Sequence, residues 1–198
     1  TVGNCKELAK WLDAELIYSE WRPVTLHSGT ITNLEVKIHR IDGKGDDEWP
    51  EPRTIEGTNG KSLQAALDDT IKEGGQLLVF VNSRIGAQKE ARELSKYIIK
   101  KRKENNEYTD GDKIAELERF SESLKQREDS SALIKKLADS IKGGIAFHHA
   151  GLTTGQRNKI EEMFKDGDLH CIIATPTLAQ GVNLPARRVV IRDVKRWN

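Results

Sequence analysis

Four short apolar runs constrain this chain more than anything else in it: Leu77-Leu78-Val79-Phe80-Val81, Ile145-Ala146-Phe147, Cys171-Ile172-Ile173-Ala174 and Val189-Val190-Ile191. Each is too short for a helix and apolar throughout, as in a strand covered on both faces. Helical spacing fills the intervals. Leu63, Leu67 and Ile71 precede the first run and stop at Gly74-Gly75, and the period resumes from Ile85 through Ile99. Ile160, Met163 and Phe164 follow the second run, with Thr153 or Thr154 as the cap and Gly167 as the stop. Strands separated by helices of this length imply right-handed crossovers. The expected fold is α/β, a parallel sheet with helices on both faces.

The residues before Lys61 have a different texture. Asn4 precedes a helical pattern at Leu8, Trp11 and Leu12, and residues 15–18 read as a short strand. Alternating segments at 24–27 and 34–41 predict an antiparallel hairpin turning at Ser28-Gly29. Residues 42–60 carry Gly, Pro and the carboxylates Asp46, Asp47, Glu48, Glu51 and Glu56, the composition of a solvated loop. A second charge-dense stretch, 100–142, breaks near Tyr108-Thr109-Asp110-Gly111. It has helical spacing at Ile114, Leu117, Phe120 and Leu124 and again at Leu133, Ile134 and Leu137, so it reads as a helical insertion. The expected division is 1–60, with helix, hairpin and acidic loop, and 61–198, the α/β domain.

Charge narrows the partners. Lys and Arg number 32 against 31 Asp and Glu, a formal net charge of +1, which excludes a polycation or an acidic tail. Any nucleic-acid contact must then be a local patch. Cys5 and Cys171 form no Cys-x-x-Cys pair, which excludes a zinc ribbon and favours two buried thiols. With no membrane-length apolar run and no signal-peptide pattern, a soluble, cytoplasmic protein is expected. The chain opens on Thr1-Val2-Gly3-Asn4 without Met and reads as a segment of a longer one.

In open α/β sheets ligands gather beyond the carboxyl ends of the strands. Three polar clusters follow the strands here: Asn82-Ser83-Arg84, His148-His149-Ala150-Gly151-Leu152 and Thr175-Pro176-Thr177. Hydroxyls, an amide, imidazoles and a guanidinium on one rim suit phosphate oxygens, because they donate hydrogen bonds without needing a base edge. Singly, each has a plain structural reading: a helix cap, one core and one surface histidine, a turn. No carboxylate or cysteine sits at ligand spacing from His148 or His149, so no metal is expected there. The chain has no Gly-x-x-x-x-Gly-Lys-Ser/Thr, Gly-x-Gly-x-x-Gly or Gly-x-Ser-x-Gly motif.

Taken in order, Phe80-Val81-Asn82-Ser83-Arg84, Ala146-Phe147-His148-His149-Ala150-Gly151-Leu152 and Ala174-Thr175-Pro176-Thr177-Leu178-Ala179-Gln180-Gly181-Val182-Asn183-Leu184-Pro185 resemble motifs IV, IVa and V of superfamily-2 helicases of the Ski-like group. Within that group the likeness is greatest to archaeal Hjm-type DNA repair helicases. Thr1-Val2-Gly3-Asn4, Trp11-Leu12-Asp13-Ala14 and Trp21-Arg22-Pro23-Val24 are similar to the same family, so the resemblance covers essentially the whole chain.

The resemblance implies a second RecA-like domain at 61–198, truncated before motif VI, with 1–60 leading in from the first RecA-like domain. It implies that Asn82, Ser83 and Arg84, His149 and Gly151, and Thr175 and Thr177 hold the backbone of the tracking strand. Gly181 and Asn183 would face the ATP cleft and couple it to that strand. The implied whole is an ATP-dependent 3′–5′ DNA helicase acting on forked or damaged DNA, using ATP and Mg2+. Its partners would be single-stranded or forked DNA and the first RecA-like domain of the same chain, with no membrane. The arginine-finger motif VI, the phosphate loop and the Asp-Glu-x-His box do not occur in these residues. The 198 residues alone are therefore expected to bind no ATP or Mg2+ and to carry no catalytic residue of their own. A Ski-like RNA helicase domain and a RecA-like interaction module without motor activity stay open as alternatives.

Two expectations concern single residues. Arg187, Arg188, Arg192, Lys195 and Arg196 against Asp193 make the end basic by count, which reads as a solvated or nucleic-acid-facing strand end. Trp11, Trp21 and Trp49 read as packing residues; Trp197 supports no reading.

Overall fold

The computed structural model describes residues 4–17, 24–42, 51–58, 60–126, 131–176 and 184–193. The chain divides into two units, Thr1–Ile55 and Glu56–Asn198.

In the first unit, helix α1 spans Cys5–Trp11, and the Asn4 side chain bonds Glu7 rather than capping the backbone. No α1 residue is buried, and Trp11 is 79% exposed, which corrects its expected packing role. An apolar stripe says which side of a helix could be covered, not that something covers it. Trp21, Trp49 and Trp197 lie outside the described residues. Residues 15–17 are not a strand, and Tyr18 is not described.

The hairpin exists, but its turn lies elsewhere. Strands β1 (Leu26–Thr32) and β2 (Glu35–Asp42) pair antiparallel, closed by Asn33 and Leu34, both left-handed with φ of 49° and 70°. That is the two-residue turn whose twist matches the strands. The expected turn at Ser28-Gly29 is instead a bulge, where the register shifts. Gly29 lies so close to the Lys37 carbonyl that a Cβ there would clash. The acidic stretch also contains a two-residue strand, β3 (Arg53–Thr54), which pairs with Val36 and Glu35. Ile55 N–H donates to the Leu34 carbonyl at 2.8 Å, and both side chains are buried.

The second unit holds α2 (Ser62–Lys72), β4 (Leu77–Phe80), α3 (Arg84–Asn105), α4 (Gly111–Lys125), α5 (Ala132–Ile141), β5 (Ile145–His148), α6 (Thr154–Lys165), β6 (Cys171–Ala174) and β7 (Arg188–Ile191). Its four strands form one parallel sheet in the order β5-β6-β4-β7. The chain moves one way from β4 to β5 and back the other way to β6. Right-handed crossovers then put α3 to α5 and α6 on opposite faces. Leu77, Val79, Ile145, Phe147 and Ile172 are fully buried between those layers. β7 differs from the expected doubly covered strand, since Val189 and Ile191 are exposed. It is the sheet edge, so only one side is packed. Cys171 is buried, as expected, and burial pushes its thiol pKa up; Cys5 is only half-buried.

The insertion is a helical hairpin laid on α3. Ser95 Oγ donates to the Asp139 carbonyl at 3.2 Å and Arg102 Nη1 to the Lys142 carbonyl at 3.1 Å, so α3 and α5 run parallel. Ser121 Oγ donates to the Ala138 carbonyl at 2.8 Å and Glu122 pairs with Lys142 at 3.3 Å, which packs α4 on α5. α5 therefore begins at the edge where α3 begins, beyond the carboxyl ends of the strands.

Candidate functional site

Sheet register builds the site. His148, Ala174, Phe80 and Ile191 stand side by side as the last residues of their strands. The ladder continues one step: Thr175 N–H donates to the His148 carbonyl at 3.2 Å, Val81 N–H to Ala174 at 2.9 Å, and Arg192 N–H to Phe80 at 3.0 Å. The described parts of the three polar clusters thus lie along one sheet edge. Helices α3 and α6 start there as well. Ser83 Oγ accepts Gly86 N–H at 3.0 Å, and Thr153 forms a reciprocal capping box with Gln156. Neither helix has an acidic residue in its first turn, and α3 opens on Arg84.

Both histidines are buried, His148 with 4% and His149 with 1% exposure, so neither is the expected surface residue. His148 Nε2 lies 2.9 Å from Glu161 Oε1, while its Nδ1, like Arg157 Nε, is buried without a partner among the described residues. Burial lowers the His148 pKa, although Glu161 pulls it upward. The His149 ring stacks on Phe147 with centroids 5.2 Å apart and planes 10° from parallel. Its Nδ1 lies 3.0 Å from Gly151 N–H and its Nε2 3.3 Å from the Gln88 amide nitrogen; both neighbours are donors, so a neutral ring can accept from only one of them. Burial first, then the Arg84 charge, lowers the His149 pKa. A Cβ on Gly151 would stand 2.9 Å from the His149 ring. The close approach at Gly151 is therefore made by its neighbour's own imidazole.

The remaining site residues divide by what they have left to offer. Arg84 is exposed and makes no ion pair among the described residues. Ser83 spends an acceptor lone pair on its cap and keeps its hydroxyl proton. The Asn82 N–H is taken by Asp193 Oδ2 at 3.0 Å. Thr175 is nine-tenths buried. Thr177, Gly181 and Asn183 lie outside the described residues. The described residues contain no group of three or more His, Cys, Asp or Glu side chains able to hold a metal, and no glycine-rich phosphate loop.

The basic strand end, exposed at Arg187 and Arg192, holds its own counter-charges. Arg187 pairs with Glu73 at 2.7 Å, Arg188 with Asp69 at 2.5 Å and Glu73 at 2.6 Å, and Arg192 with Glu90 and, at 2.9 Å, Asp193. These carboxylates draw the guanidinium groups onto the protein itself, while Lys195 and Arg196 are not described. Gln88 and Lys136 escaped the sequence reading. Lys136 Nζ donates to Gln88 Oε1 at 3.2 Å, and no local pattern signals a partnership across 48 positions. Among the described residues no helix is long and apolar enough to cross a membrane.

Comparison with known proteins bears on the same residues. Positions 61–198 match the model of the helicase conserved C-terminal domain. Over its whole length the chain is 40% identical to the ATP-dependent DNA helicase Hel308 of Methanocella arvoryzae, covering 24% of that protein. It is likewise 40% identical to Hel308 of Caldivirga maquilingensis (24% covered) and 38% identical to that of Pyrococcus horikoshii (24% covered). The chain thus spans about a quarter of the length of these relatives.

Proposed function

The chain belongs to the helicase conserved C-terminal domain family, and from that premise we propose that it is the second RecA-like domain of an ATP-dependent DNA helicase, and that its carboxyl sheet edge grips the tracking strand. Asn82, Ser83 and Arg84, His149 and Gly151, and Thr175 and Thr177 hold phosphodiesters in this reading. Gly181 and Asn183 face an ATP·Mg2+ cleft completed by a first RecA-like domain. The whole enzyme translocates 3′–5′ on forked or damaged DNA, the activity its motifs imply.

The observation that carries the reading is the shared register, with His148, Ala174 and Phe80 aligned so that His149, Thr175 and Asn82 follow on one edge. The chemistry supports it. Hydroxyl, amide and guanidinium donors meet phosphate oxygens without reading bases, which gives a grip independent of sequence. Neutral buried histidines add little charge, so such a grip can release at every step. The sheet holds the donors at strand ends, where a rigid scaffold limits their spread.

Fluorescence anisotropy with labelled single-stranded DNA and matched RNA over a salt series tests this, with Thr175→Val and His149→Ala alongside. The chain is expected to bind DNA weakly and salt-sensitively, to lose about threefold or more with each substitution, and to hydrolyse no ATP alone. Unchanged binding in both variants would sink the site assignment. A preference for RNA, which only a 2′-hydroxyl contact would create, would replace the substrate.

A further inference from the structure

The helical hairpin α4–α5 lies outside every motif considered so far. Its second helix nevertheless starts at the proposed strand-binding edge, because α5 runs parallel to α3. Leu133, in the first turn of α5, lies 3.8 Å from where a Cβ on Gly151 would stand. One turn on, Lys136 Nζ reaches Gln88 Oε1 at 3.2 Å, and the same amide faces His149 Nε2 at 3.3 Å. A single side-chain amide thus separates the Lys136 ammonium from the edge.

Charge separates this lysine from the other paired lysines of the hairpin. Lys125 is paired with Asp139 at 2.9 Å and Lys142 with Glu122 at 3.3 Å. Lys136 is exposed and, among the described residues, meets only a neutral amide, so no described carboxylate contacts its charge. Arg84 and Arg92 flank Gln88 at i−4 and i+4 on the same stripe of α3, both exposed and without an ion pair among the described residues. Arg84, whose charge acts on His149, and Lys136, one amide away, therefore stand beside His149, while the cations at β7 are neutralised.

We propose that α5 forms part of the strand-binding surface, with the Lys136 ammonium contacting a phosphodiester of single-stranded nucleic acid beyond His149. The proposal rests on the strand-gripping reading above and extends its track onto the insertion. Lys136 acts as a point charge, so it adds affinity without sequence preference.

The experiment is the same salt series with Lys136→Ala, Lys136→Gln and Lys136→Arg, and with Lys103→Ala as a charge-matched control at the other end of α3. Removing one phosphate contact is expected to flatten the slope of log affinity against log salt by about 0.7. Lys136→Ala and Lys136→Gln should both show that loss, with melting temperatures unchanged. Lys136→Arg should restore the slope, and Lys103→Ala should leave it intact. An unaltered slope in Lys136→Ala, with Thr175→Val still weakening binding, overturns the role of α5 and leaves the edge standing. Loss of slope equal to that of Lys103→Ala overturns it as well. No binding by the unaltered chain removes both readings together.

Discussion

The two edges of the parallel sheet handle polar groups in opposite ways. At the amino edge, the buried Asp68 carboxylate accepts from Lys101 Nζ at 2.7 Å, Tyr108 Oη at 2.6 Å and Tyr97 Oη. Lys101 also reaches Glu107 at 3.1 Å, and Arg102 Nε donates to the Tyr108 carbonyl at 3.2 Å. Lys113 Nζ ends on the Gly167 carbonyl at 3.2 Å. Donors and acceptors there close on one another and pin the loop between α3 and α4 against the sheet. Burial and the Asp68 hydrogen bond push the Tyr97 pKa up to about 12. At the carboxyl edge, His148 Nδ1 and Arg157 Nε are buried without partners and Arg84 is unpaired among the described residues. A network satisfied internally holds a fold together; polar groups left over have capacity for something else.

That contrast is best broken at Asp68. Asp68→Ala strips three donors of their acceptor and leaves a half-buried ammonium with less compensation. It should cost about 3 kcal/mol, lowering the melting temperature by roughly 6–12 °C. Nucleic-acid binding by the folded fraction should not change. A loss under about 1 kcal/mol would mean that the amino edge is no tighter than an ordinary surface.

Acid should reach the amino edge next. His170, tilted against Tyr108 with ring centroids 5.9 Å apart, has its pKa pushed down to about 4, chiefly by burial. The unfolded chain takes up that proton near pH 6.5 and the folded chain only near 4. Stability is therefore full above pH 6.5 and falls as pH drops toward 4, by up to roughly 2.5 kcal/mol at pH 4.5. His148 and His149, both held low, act in the same direction. Glu73, Glu107 and Asp193 have pKa values below the ordinary carboxylate range, so their losses come at more acid pH. Melting curves at pH 7 and 4.5 measure the slope, which His170→Phe should flatten. An identical slope in that variant would clear His170 of the effect.

The smallest change is expected at β7. Arg187→Gln removes an exposed ion pair with Glu73 and should cost less than about 1 kcal/mol. It should also leave the salt slope of binding untouched, unlike Lys136→Ala. Loss of slope in Arg187→Gln would return β7 to the strand-facing surface and blur the distinction between free and neutralised cations.

Much of this was legible in the sequence, and the failures have physical causes. β4, β5 and β6 were readable because strands covered on both faces must be apolar at every position. The capping threonine of α6 was readable because a cap acts over three residues. The hairpin turn was misplaced because Ser28-Gly29 has turn composition, while the need for glycine there comes from the Lys37 carbonyl across the ladder. The ion pairs of the β7 arginines were not legible because Glu73, Asp69 and Glu90 lie more than 100 positions away. Gln88 and Lys136 gave no signal at all. Their meeting depends on two helices running the same way.

The sequence by itself determined the fold class, the strands and which polar residues follow them, because period, apolar runs and caps are local properties that burial and backbone hydrogen bonding enforce. It also carried the motifs that place the chain among helicase conserved C-terminal domains. Only the tertiary structure decided which charges are spent and which remain. Whether Arg84 and Lys136 stay available while Arg188 and Arg192 do not depends on which distant carboxylate the fold brings within about 3 Å, where a Coulomb attraction outweighs the loss of side-chain freedom. Linear order carries no such distances, since they arise from packing α2, α3 and α5 around one sheet.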